Sequence, residues 1–120
     1  MPRRCTAAAV CLVGLCLWPA VAHADAKASA RAEVRFGIQM ARQGLWREAI
    51  YRWERALALD PGYAAALNNL AVAYEHEGML DKAKAAYERA TALGGNQPQI
   101  QQNYDLFQDI HDRLTRSATP

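Results

Sequence analysis

Two histidines in this 120-residue chain sit among carboxylates. His76 lies between Glu75 and Glu77, and His111 is followed by Asp112 with Asp109 close behind it. Imidazole beside carboxylate is the chemistry of proton transfer and of zinc ligation. The spacing argues against both. The two histidines are far apart in the chain, and neither belongs to a His-x-x-x-His pair. Charged neighbours of a histidine on a helix are ordinarily a solvated face. The serines, Ser29 and Ser117, stand at the expected ends of the folded part, where no base is placed to activate them. Gly94-Gly95 follows a helical stretch and reads as a helix stop, not as a phosphate loop. The sequence therefore assigns no catalytic residue, no metal ligand and no cofactor, and it predicts a protein that is not an enzyme.

A second chemistry is recognition. Asn69 and Asn103 are candidates, because each amide offers a donor and an acceptor, enough to hold a peptide backbone in register. Arg31, Arg35 and Arg42 share one helical stripe and can take a carboxylate. These groups need a scaffold, and the rest of the chain supplies its outline.

The stretch 1–24 does not belong to that scaffold. MPRR is a short basic start, Cys5–Trp18 is apolar apart from Thr6, and Val21-Ala22-His23-Ala24 ends in an A-x-A exit. This is the pattern of a cleavable secretory signal peptide, too short in its apolar run for a spanning helix. All three cysteines lie in it, so a chain starting at Asp25 has no disulfide and no thiol. Removing Arg3 and Arg4 from the 14 basic residues leaves 12 against 12 acidic ones. A neutral balance gives no general attraction to nucleic acid or anionic lipid. The expected location is the periplasm or beyond it, with no stable membrane insertion after cleavage.

Residues 45–61, LWREAIYRWERALALDP, recur at 79–95 as MLDKAKAAYERATALGG. Ala49/Ala83, Glu54/Glu88, Arg55/Arg89, Ala56/Ala90, Ala58/Ala92 and Leu59/Leu93 are identical pairs, and Trp53 faces Tyr87. Asn69 and Asn103 stand at the same spacing as these pairs. A period of this length marks stacked supersecondary units. Each unit predicts two helices joined at a glycine, Gly44 in the first and Gly78 in the second. Apolar residues fall at i, i+3, i+4 and i+7, as one inward-packing face requires. Asp60-Pro61-Gly62 separates the units. Pro98 opens a fifth helix carrying Ile100, Asn103, Phe107, Ile110 and Leu114 on one stripe. The predicted class is all-α.

The period and these identities resemble the tetratricopeptide repeat. Started at Ala30, the pattern's packing positions fall on Glu33, Phe36, Gly37, Met40, Ala49, Trp53, Ala56 and Pro61. Started at Ala64, they fall on Leu67, Leu70, Ala71, Tyr74, Ala83, Tyr87, Ala90 and Gly95. Glu33 stands where a large apolar residue is usual, and Gly95 where proline is. After the signal peptide at 1–24, the resemblance implies an α-solenoid: a linker at 25–29, repeats at 30–63 and 64–97, a capping helix at 98–116 and a frayed tail at 117–120. It also implies a protein-binding scaffold whose concave face holds a peptide or helix of another envelope protein. Residues expected on that face are Arg31, Arg35, Ile38, Arg42, Asn69, Val72, His76, Asn103 and Leu106. The carboxylate clamp of one subfamily is not carried over, because Asn69 alone matches it. The alternative is self-stacking into homo-oligomers through the repeat ends.

Overall fold

The computed structural model describes residues 18–94 and 96–118. Five α-helices follow one another: α1 Trp18–Arg42, α2 Trp46–Leu59, α3 Ala64–His76, α4 Leu80–Leu93 and α5 Pro98–Ser117. No strand occurs among the described residues. Most of the expected leader lies outside them, as do Gly95 and the end of the tail. The last residues of the leader, from Trp18, form the first turns of α1, which starts well before the first repeat expected from Ala30. The expected linker at 25–29 is part of the same helix. The alanine-rich run from Ala20 to Ala32 favours helix and contains neither glycine nor proline, so nothing stops the helix there.

The two hairpins close in the same way. Gly44 and Gly78 adopt φ +77° and +73°, the left-handed conformation that glycine enters at little cost. In the first turn Leu45 N–H donates to Met40 O at 2.9 Å and Gly44 N–H to Ala41 O at 3.0 Å. In the second, Met79 N–H donates to Tyr74 O at 2.7 Å and Gly78 N–H to Glu75 O at 3.0 Å. These paired bonds satisfy carbonyls that a helix end would leave open.

Inside each hairpin a small residue meets a large ring. A Cβ added at Gly37 on α1 would fall within the indole of Trp53 on α2. The Trp53 Nε1–H donates to Val34 O at 3.2 Å, so the buried indole nitrogen is satisfied. One period later, Ala71 and Tyr87 occupy the same two places, and both are buried. Ala49, Ala56, Ala83 and Ala90 have no exposed surface and let the backbones approach. Helices pack on their chain neighbours, α1 on α2, α2 on α3, α3 on α4 and α4 on α5, with α5 also reaching α3. This is the neighbour-only architecture of a solenoid.

The joins between hairpins use a repeated acid. Tyr74 Oη–H on α3 donates to Glu54 on α2 at 2.9 Å. Tyr104 Oη–H on α5 donates to Glu88 on α4, the residue equivalent to Glu54, at 3.4 Å. Burial, together with Glu54, pushes the Tyr74 phenol up to about 12. Burial, with Glu75 beside it, raises Tyr87 as well.

Four expected packing positions, Glu33, Phe36, Met40 and Pro61, differ from the simple pattern. Phe36 is 51% exposed. Its counterpart Leu70 is buried, with α2 lying before its helix, whereas no described helix precedes α1. The Arg52 guanidinium lies over the Phe36 ring, 5.4 Å from its centre. Pro61 is exposed because it ends α2 and does not reach the core. Met40 is half-buried. The remaining positions among the described residues are buried. Glu33 takes the place of the fully buried Leu67, and Arg52 and Arg55 reach it at 3.2 and 3.4 Å. A charge is thus held by α2 where the second repeat uses apolar contact. Leu93 is 53% exposed, so α5 covers Tyr87 but leaves that side chain in water.

Two consequences can be measured. Gly37→Ala should destabilise the fold by about 1–3 kcal/mol through overpacking, whereas Gly62→Ala, whose Cβ would meet only Asp60 Oδ1 at 3.8 Å, should change it by less than about 0.5 kcal/mol. Equal melting temperatures for the two variants would contradict the close approach. The second concerns alkali. A phenol whose folded pKa is about 12 against an ordinary 10.0 contributes fully below pH 10, and that contribution is lost as pH rises through 12. Chemical denaturation should show stability falling across this window, and Tyr74→Phe should make the fall shallower.

Candidate functional site

The first helices of the two hairpins, with α5, form one face of the stack, and a concavity of about 350 Å³ opens on it. Its lining is Ile38, Ala41 and Arg42 of α1, Trp46 and Trp53 of α2, Asn68, Asn69 and Val72 of α3, and Gln99 and Asn103 of α5. Four helices contribute because α1, α3 and α5 lie one period apart. Ile38, Asn69 and Asn103 are thereby brought to one surface although each is remote in sequence.

Of the residues expected on this face, Ile38, Arg42, Asn69, Val72 and Asn103 line the concavity. Arg31, Arg35 and Leu106 are exposed outside it. His76 is not a groove residue either. Its ring stacks on Trp46 at 4.1 Å between centres and 21° between planes, which ties the end of α3 to the start of α2. The acids beside His76 also have separate duties. Glu77 approaches Arg47 at 3.5 Å and His76 Nδ1 at 3.9 Å, and Glu75 lies by the Tyr87 phenol. The carboxylates and the imidazole, adjacent at the end of α3, thus turn to different neighbours on α2 and α4. Among the described residues no group of three His, Cys, Asp or Glu side chains could hold a metal.

The amides are unequal. Asn103 Nδ2–H donates to Asn68 Oδ1 at 3.0 Å, and Asn68 is buried to 8% exposure. That bond joins α5 to α3 across the floor. Asn69, half-buried, keeps its amide free of any such bond among the described residues. Val72 nearby on the same helix is 36% exposed. Arg42 is the one charged residue in the described lining. The surface offers an amide, an apolar strip and a single cation, and the described lining offers no nucleophile with a base.

Sequence reasoning misses Ala41, Trp46 and Trp53 as parts of this surface. Trp53 is only 3% exposed, so its indole serves the core and the floor together. Its periodicity reports the core duty alone. Trp46 follows the Gly44 turn closely, and its position on the groove depends on how far the second hairpin rotates against the first.

The fold and this face define a helical-repeat protein with a concave face. A family model described as tetratricopeptide repeat matches residues 40–102. The chain belongs to the tetratricopeptide repeat family, whose repeats generally mediate protein–protein interaction. No curated protein matches the chain.

Asn68→Leu should cost about 1–3 kcal/mol, because it leaves the Asn103 amide without its acceptor in a part-buried place. Asn69→Leu should be close to neutral. Urea denaturation of the two variants compares them directly, and a neutral Asn68→Leu would count against the described floor.

Proposed function

We propose that the protein is a non-catalytic adaptor of the bacterial cell envelope, and that the concavity between its hairpins holds a segment of another protein. The observation that carries this reading is the pairing of Asn69, whose amide has no intramolecular bond among the described residues, with the exposed side chain of Val72 in the middle of a concave face. An extended or helical segment docks by placing apolar side chains along such a strip while a polar group fixes its register. Arg42, as the single charge of the described lining, favours a neutral or acidic segment. The basic start, apolar run and A-x-A exit of the stretch 1–24 support export. No described helix is long and apolar enough to cross a membrane.

The test is comparative capture from envelope extract. Wild type and Asn69→Ala/Val72→Asp are run beside Arg31→Ala/Arg35→Ala, which alters exposed residues outside the concavity. The groove variant should lose at least about tenfold of the captured chain, the loss expected when a central contact is removed. The arginine variant should retain it. Capture that survives in the groove variant contradicts the reading.

A further inference from the structure

Helix α5 is longer than the surface it covers. It has 20 residues, against 13 in α3 and 14 in α4. Its inner stripe starts as core, with Ile100 and Phe107 at 3% and 4% exposure. An exposed apolar row runs beside this stripe and on toward the C-terminal end of α5. Leu106, Ile110 and Leu114 are 57%, 45% and 56% exposed. They are spaced four apart and therefore stand one above another on a single face. Where α5 leaves the stack, a concavity of about 210 Å³ is lined by Glu75, Leu80, Phe107, Ile110, His111 and Leu114. A contiguous apolar stripe on a surface otherwise polar marks an interaction site.

The charges on its flank select the occupant. Asp109 and Arg113 lie along one edge of the stripe and pair with each other on their own helix. They bracket His111, one residue beyond the midpoint of the stripe. Laid antiparallel on a second α5 about a two-fold near His111, each Asp109 falls opposite the other copy's Arg113, and Leu106, Ile110 and Leu114 of one copy interleave with those of the other. A parallel two-fold would carry the two charged edges to opposite sides of the seam and leave them without partners there. The edge is thus complementary to itself in one orientation, as an isologous interface requires.

We propose that the exposed apolar row of α5 is an interface between two copies of this chain, paired antiparallel through Leu106, Ile110 and Leu114 with Asp109 and Arg113 exchanged between them. The interface is separate from the concavity at Asn69 and does not depend on it. It leaves that groove open on each copy, so the pair would present two grooves.

Sedimentation velocity on the purified protein tests this over a concentration series reaching about 100 µM, where a micromolar dimer is well populated. A concentration-dependent dimer is expected. Ile110→Asp/Leu114→Asp should weaken it at least about tenfold, with circular dichroism checking that the helices persist. Asp109→Arg alone and Arg113→Asp alone should each weaken it, and the swap Asp109→Arg/Arg113→Asp should restore it, because the swap regenerates both pairs. A monomer at every concentration overturns the proposal. So does a dimer indifferent to the Ile110/Leu114 change, or a swapped variant that fails to recover.

Discussion

The close approach of α1 and α2 at Gly37 and Trp53 is the constraint on which the other packing hangs. A hairpin of two helices buries little unless the backbones come together, and the Trp53 indole can lie between them only where no Cβ intervenes. The indole nitrogen is then too deep for water and takes Val34 O as its acceptor. The same ring forms the back of the groove. A residue fixed by core packing therefore sets the depth of the recognition surface. Ala71 and Tyr87 repeat the arrangement with a methyl and a phenol, so the requirement is small against large and not one particular pair.

Between hairpins, directional contacts add to apolar packing that includes Leu57 and Leu67. Tyr74 on Glu54, Tyr104 on Glu88 and His76 on Trp46 each bridge helices of different units. Directional bonds of this kind add modest stability, but they fix how one unit turns on the next. That rotation decides whether Ile38, Asn69 and Asn103 share a face. Hydrophobic burial builds the hairpins, and aromatic–acid contacts aim them.

The fold could be read from the sequence because its cause is periodic. Identities at one fixed spacing, alanines at the close contacts and glycines at the turns all report local geometry that each repeat must satisfy alone. What could not be read depends on the neighbouring unit. Phe36 obeys the pattern yet stands in water, since its packing partner would be a helix before α1. Asn103 and Asn69 look alike by position, but Asn103 is committed to Asn68. Arg31 and Arg35 share a helix face with Arg42, but they lie earlier on α1, outside the lining of the concavity. His76, beside two glutamates, has the neighbours of a chemical or binding group, and Trp46 holds it as a joint. The overhang of α5 is visible only when helix lengths are compared in space.

Whether a partner chain lies on the concave face around Val72 is tested most directly by site-specific photo-crosslinking in cells. A photoreactive residue is placed at position 72 and, separately, at Ala85, which is exposed but is not a lining residue. Position 72 should give a discrete adduct with a second protein, and position 85 none. Adducts of equal yield from both positions, or from position 85 alone, would contradict a groove-bound partner.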